Sequence, residues 1–484
     1  MGAATSAPGF GAPVEIPGAS GSEPTLAISE TGKRYASWQV PGQVSTTTNG
    51  KDFTSAQTLK PTGGGDVSAA VDAAGAAYIV QFCSSQQELH ACLWKSIDGG
   101  KTWTEIATIA DQNEPIDRPW IDVYPKHATG NGKWDTTKTT VYLEYHTLGP
   151  DDLIYATVST DGGATFSTPQ VLSANPGSVS ASACNTIPGG VRVDQRNGNA
   201  YALWIAGNDA PSNAGTGCNY SQIGPFDRAF VARTKDEGAT WKTHLAWHGQ
   251  FDTSSRIGDN ADKIFATIDI DQAGEIYVGM GVRHHDDPAG FVQQCETNNG
   301  DCQEKPEQTD LELVASPFHG AHWTPPLVAS QEKGSYFFPW LAAGSPGRID
   351  AFYYYSTTMR PNDPKSVWYP QVSQITHARA KLVKSGGKKK AVWVGTPRIT
   401  EVRIGSKPNH VGGICTFGIF CSAVPNANRD LADVEEIHLD PAGGANIVWT
   451  DDYKKGAHIN FVCQDSGPSL IKGKPAIRGC YKGR

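Results

Sequence analysis

The chain is 484 residues long, with a formal net charge of -8, 19% charged residues, 53 glycines, 13 tryptophans, 16 tyrosines and only 3 methionines. The negative balance excludes the basic footprint of a nucleic-acid-binding protein, and no stretch approaches the ~20 apolar residues of a membrane-spanning helix. Abundant Gly and aromatic residues with little charge suit many short strands joined by tight turns, so an all-β fold is expected.

The predicted strands come in pairs: a short apolar strand, a tight Gly turn, then a strand rich in Tyr and Trp. In chain order they occupy 24–38 (PTLAISETGKRYASW), 66–82, 118–146 (RPWIDVYP, then TVYLEYH after a longer turn), 189–205, 264–280, 339–355 and 433–449. Seven such units imply one repeated supersecondary element, and a repeat architecture escapes the usual limit on domain size. In a β-propeller each blade is a four-stranded meander, and these pairs read as the inner strand A and its neighbour B. We therefore expect one domain over residues 1–484, a seven-bladed β-propeller, with a six-bladed ring plus an appendage as the alternative. The last unit offers only GAHINFVCQ after Trp449, so the early segment GFGAPVEIPG is expected to supply its outer strand and close the ring, removing an exposed edge.

Later in three of the units stand the octets Ser96-Ile-Asp98-Gly-Gly100-Lys-Thr102-Trp103, Ser159-Thr-Asp161-Gly-Gly163-Ala-Thr165-Phe166 and Thr234-Lys-Asp236-Glu-Gly238-Ala-Thr240-Trp241. Each spells S/T-x-D-x-G-x-T-W/F and reads as the turn joining strands C and D. The Asp and the hydroxyls bond turn backbone, Gly takes a positive φ, and the aromatic packs underneath. Degenerate versions sit at 46–53, with Asn49-Gly50, and at 316–323, with Gly320; the last two units have none.

Ten cysteines fall into five local pairs: Cys83 with Cys92, Cys184 with Cys218, Cys295 with Cys302, Cys415 with Cys421, and Cys463 with Cys480. Disulfides and an oxidising compartment are expected, and the lack of any CxxC pair speaks against zinc. The start of the chain has neither a charged n-region nor an apolar core, so it reads as a mature secreted, extracellular form with an added Met. Lys388-Lys389-Lys390 reads as the cap of a solvated hairpin loop.

Strand direction places the A-to-B and C-to-D turns on one face and the B-to-C and D-to-A loops on the other. The second face carries the insertions, at 206–227, 283–309, 356–369 and, between units six and seven, 395–429. Long loops on a rigid scaffold are where chemistry concentrates. Asp117-Arg118 precedes an inner strand; Arg118 could grip a carboxylate bidentately with Asp117 orienting it, or form an inter-blade salt bridge. Arg429 and Asp433 offer a second such cluster, and Asp259, Asp262 and Lys263 precede unit five.

Arg283-His284-His285-Asp286 leaves strand B of unit five, where neighbouring histidines point to opposite sides, so at most one faces a site. His146 and His410 are further loop-face histidines. The run Tyr353-Tyr354-Tyr355 is a strand in unit six whose alternation sends Tyr354 to the other side. The catalytic candidates are thus Asp117, His146, Asp262, His284, His285 and Asp433, and the substrate-binding candidates Arg118, Lys263, Arg283, Tyr354 and Arg429. Glu23, Asp66, Asp117 and Asp433 could line the channel with carboxylates, for which a structural Ca²⁺ is a natural occupant. No cofactor is expected to be required.

The octets resemble the Asp-box (BNR) repeat of the sialidase superfamily. That resemblance implies a propeller hydrolysing terminal sialic acids with an arginine triad, a Tyr nucleophile with a Glu partner, and an Asp acid/base. The chain departs from it: sialidases are six-bladed and open on F/Y-R-I-P, whereas the first strand here reads Glu23-Pro24-Thr25-Leu26, and no position matches the Tyr/Glu pair. Related seven-bladed propellers act on rhamnose-glucuronate linkages with His, Arg and Tyr or Lys. The expectation is a monomeric secreted enzyme, hydrolase or lyase, acting on a sialic- or uronic-acid linkage of a carbohydrate or glycoconjugate. A non-catalytic propeller binding glycan or protein is the competing class.

Overall fold

A computed structural model describes residues 7–39, 42–60, 65–83, 90–109, 115–126, 134–147, 153–173, 186–207, 225–252, 255, 257–261, 265–298, 302–317, 319–416, 421, 427–454 and 456–482. Seven antiparallel sheets stand in a ring, and each of the seven sequence units supplies strands A and B of one of them. The inner strands are Thr25–Ile28, Val67–Val71, Ile116–Tyr124, Thr186–Val193, Thr267–Ile270, Ser335–Ala343 and Glu436–Leu439. Each touches the next, and the seventh returns to the first. The seven-bladed expectation holds and the six-bladed alternative falls.

Polar side chains of one inner strand bind the backbone of the next, so few inner N–H groups are left to the channel. Glu436 in blade seven accepts from the Leu26 amide at 2.7 Å and from the Thr25 hydroxyl, whose oxygen in turn accepts from the Ala69 amide. Asp122 accepts from the Val193 amide and Asp269 from the Ala343 amide, at 2.7 and 2.6 Å.

The ring closes as expected. The N-terminal segments Gly9–Phe10 and Val14–Ser20 both pair with His458–Gly467, the third strand of blade seven. Ile477–Arg478 near the C-terminus shares the same strand, an addition the sequence did not announce.

The octets form the turns between strands C and D. In the first, Asp98 accepts from the amides of Lys101 and Thr102 and from the Ser96 and Thr102 hydroxyls, while Ser96 accepts from the Gly100 amide. The other two repeat the pattern around Asp161 and Asp236. Gln57 and Gln170, each on the outer strand of the preceding blade, donate to the carbonyls of Gly100 and Gly238 and tie these turns between blades.

In blade six the C-to-D position holds a two-stranded hairpin, Arg379–Ser385 with Lys388–Val394. The outer strand follows it as Arg398–Arg403, paired to Val367–Thr376. The insertion expected at 395–429 therefore begins only after residue 403, because 398–403 complete the blade. Four of the five expected disulfides are present: Cys83–Cys92, Cys295–Cys302, Cys415–Cys421 and Cys463–Cys480. Cys184 and Cys218 lie outside the described residues. Among the described residues no helix is long and apolar enough to cross a membrane.

Candidate functional site

The loop-face mouth of the channel is built by a backbone irregularity. Glu23, Arg118 and Phe338, each at the start of an inner strand, have φ of 51°, 50° and 56°. The ladders of blades three, four and six slip at 117–120, 188–190 and 337–340. Such a bulge adds a residue and redirects its side chain, at about 1–3 kcal/mol of strain for a non-glycine in this region.

Arg118 is the hub. Its Nη1 and Nη2 donate to the two oxygens of Glu23 at 2.8 and 2.7 Å, Nη2 also reaches Asp433 at 2.9 Å, and Nε lies 3.4 Å from Asp66. Its amide donates to Asp66 as well, and the guanidinium stands 4.8 Å above the ring of Phe265. Carboxylates of blades one, two and seven thus meet on one cation from blade three. The geometry shows which contacts these groups make. Arg118 spends its donors within the ring, forming the inter-blade salt bridge in place of a clamp on a substrate carboxylate. A guanidinium also stands where Ca²⁺ was envisaged, and among the described residues no group of three or more His, Cys, Asp or Glu is placed to hold a metal ion.

Beside the hub, His146 joins Asp117 through Nε2 at 2.9 Å and the Thr186 carbonyl through Nδ1 at 3.1 Å. A carbonyl only accepts, so Nδ1 carries a hydrogen and Nε2 faces the carboxylate. Burial would raise the Asp117 carboxyl, but its hydrogen bond to His146, the His146 and Arg118 charges and a bond from Asp66 outweigh it and hold the group at about 2. Asp66 moves the opposite way: burial pushes it well above the usual carboxylate range against the pull of Arg118, with Asp117 and Glu23 adding to the rise. The two neighbouring carboxyls are thus shifted in opposite directions by their surroundings.

In this group Asp66 and Asp117 are partly buried, with 13% and 20% of their side chains exposed, and His146 is fully buried. Arg429 pairs with Asp433 and leaves a third of its side chain exposed at the rim.

The remaining candidates are elsewhere. Arg283 is buried against Asp286, Glu304 and the Lys305 carbonyl, and so anchors the blade-five insertion. His284 and His285 point to opposite sides as alternation required. His285 is exposed near Glu307, while His284 contacts Asp259, Asp310 and Glu312 at 3.1, 3.4 and 3.7 Å. Hydrogen bonds to Asp259 and Asp310 exceed the cost of burial and raise His284 to about 10. Glu312 also accepts from the Trp247 indole, which places this cluster between blades four and five. His410 is buried on Asp452.

Tyr354 is fully buried with its hydroxyl on the Thr450 backbone, because its face of strand B packs against blade seven; it does not reach the mouth. Asp262 and Lys263 lie outside the described residues.

Sequence reasoning missed the channel's interior. Trp120, Phe265 and Trp340 meet across it at centroid distances of 5.2 and 6.5 Å. Beyond this plug, on the turn face, a cavity of about 430 Å³ is lined by Asp122, Arg192, Asp269 and His438, with Arg192 5.5 Å above Trp340. Their signal was present: these residues alternate along the inner strands, but the ring's curvature was needed to show which parity faces the axis.

No family model matches this chain. No curated protein matches it either. Among solved structures, an α-L-arabinanase of Penicillium chrysogenum is 11% identical, with 94% of this chain and 98% of that one covered and a TM-score of 0.41. An ulvan lyase from a new polysaccharide lyase family is 12% identical over 93% of each chain, TM-score 0.46. A lectin of Aleuria aurantia is 9% identical over 78% of this chain and 95% of that one, TM-score 0.38. Likeness at this level carries no argument about activity.

Proposed function

We propose that the protein is a secreted glycan-active enzyme that takes a uronate-bearing saccharide at the loop-face mouth. The observation that carries this reading is the convergence of two partly buried carboxyls, Asp66 on Arg118 and Asp117 on His146, beside the exposed rim of Arg429. The four disulfides support an oxidising, extracellular setting.

The residue set is read as one for elimination: a rim cation able to neutralise a uronate, Arg429, stands near two neighbouring carboxyls, Asp66 and Asp117. In elimination, Arg429 neutralises the sugar carboxylate and Asp117 accepts the C5 proton. The C5–H electron pair becomes the C4–C5 double bond, the C4–O bond breaks, and Asp66 protonates the leaving oxygen. His146 is a positioning residue, fixing the Asp117 carboxylate and keeping it ionised through the neutral range.

The test is a panel of uronate-bearing and sialylated glycans. Wild type should release an unsaturated uronate, Asp117→Asn and Asp66→Asn should lose turnover, and Arg429→Gln should raise KM. His146→Gln should move the acidic limb of the pH profile upward, since Asp117 loses the partner that depresses it. Turnover surviving Asp117→Asn sinks the assignment. Arg118 being fully engaged favours a second reading, a binding site without chemistry; retained glycan binding with no turnover across the panel would support it.

A further inference from the structure

The hairpin in blade six is the most concentrated charge on the molecule. Its sequence, Arg379 to Val394, holds six cations and no acid, on a chain whose net charge is -8. Ala380, Ala391 and Trp393 occupy the face turned to the body, and the Trp393 indole donates to the Pro325 carbonyl at 2.8 Å. The Ala380 amide bonds Glu275, in the A-to-B turn of blade five, so the hairpin is fastened to the turn face and lies across two blades.

Alternation puts Arg379, Lys381, Lys388 and Lys390 on the opposite, outward face. The register sets Arg379 opposite Val394, Lys381 opposite Val392, Val383 opposite Lys390 and Ser385 opposite Lys388. One cation therefore stands at each successive outward step, roughly 7 Å apart along the hairpin at the usual strand rise, the first two on one strand and the last two on its partner. Lys384 lies directly opposite Lys389, an arrangement of like charges that weakens a hairpin. Among the described residues the five lysines have no carboxylate partner, and Arg379 has only Glu275 at 4.0 Å. Outward cations spaced along the length of the hairpin, the lysines among them without a carboxylate partner, are complementary to a linear polyanion.

We propose that this hairpin is a docking site for an acidic polysaccharide, separate from the loop-face mouth and on the other side of the ring. Nucleic acid is disfavoured. The disulfides place the chain in an oxidising compartment, and the hairpin's single aromatic ring is turned to the body, leaving no platform on which bases could stack. The proposal shares with the function above only the acidic class of glycan, and binding is measured without turnover.

The experiment compares immobilised chondroitin sulfate, neutral dextran, double-stranded DNA and phosphatidylserine vesicles as surfaces for the intact protein. The variants are K381Q/K384Q/K388Q/K389Q/K390Q and the all-arginine equivalent, which keeps the charges. Wild type should bind chondroitin sulfate at least ~10-fold more tightly than the glutamine variant, and each cation removed should lower the salt slope by about one. The arginine variant should bind like wild type, and dextran should not bind. The glutamine variant should keep the wild-type melting midpoint and wild-type turnover of a short uronate oligosaccharide, which separates this site from the mouth. Equal affinity of wild type and the glutamine variant overturns the proposal. So does DNA or vesicle binding as tight as that of the polysaccharide and equally dependent on the lysines.

Discussion

The two ends of the channel use one device to different effect. At each, an arginine lies over the aromatic plug: Arg118 on Phe265 toward the loop face, Arg192 on Trp340 toward the turn face. Arg118 gathers Glu23, Asp66 and Asp433 from three other blades, whereas Arg192 has Asp269 at 4.0 Å and the carbonyl of Val191. The first end is cross-linked by charge and the second is held mainly by backbone bonds between inner strands. A cation buried among carboxylates is therefore the fastening of the mouth, and the chemistry proposed there is done by groups at its edge.

The sharpest way to break this contrast is to remove each arginine. Arg118→Gln leaves buried carboxylates uncompensated and should cost about 3–5 kcal/mol. Arg192→Gln, which loses a long contact and a cation–π stack, should cost about 1 kcal/mol. Chemical denaturation of both variants measures the difference, and equal losses would show that the two ends are not distinct.

A smaller effect is expected at the octet turns, whose bonds are local. Ser159→Ala deprives the buried Gly163 amide of its acceptor and should lower stability by about 1 kcal/mol without altering the mouth. Denaturation together with unchanged glycan turnover would check both halves of that statement.

The smallest effect is on pH dependence. His284 is raised to about 10 in the folded chain, so its contribution is complete below its ordinary value near 6.5 and is lost as pH rises through about 10. Asp66, also raised, loses its contribution in the same direction, while Asp117, held at about 2, loses its own progressively as pH falls from about 4–5 through about 2. The melting midpoint should fall from neutral to alkaline pH, and His284→Gln should flatten part of that slope. A variant as pH-sensitive as wild type would remove His284 from the account.

The blade count, the ring closure and the turn role of the octets were legible in the sequence because each rests on local periodicity or local turn chemistry. Alternation also separated His284 from His285 correctly. The mouth was legible only as a set of candidates. That Asp117 and Arg118 precede one inner strand is local, but the convergence of Glu23, Asp66 and Asp433 on Arg118 depends on ring closure across 315 residues of chain. Tyr354 misled for a similar reason, since a tyrosine facing a neighbouring blade and one facing solvent follow the same alternation. The hairpin at 379–394 displaced the expected insertion because 398–403 read as loop until paired with strand C.

The most direct test of the central claim, proton removal at Asp117 in the loop-face mouth, is the turnover of a uronate oligosaccharide carrying deuterium at C5. The account predicts slower formation of the unsaturated product than from the protium substrate, and none from folded Asp117→Asn. A saturated product formed at the same rate from both substrates would contradict it.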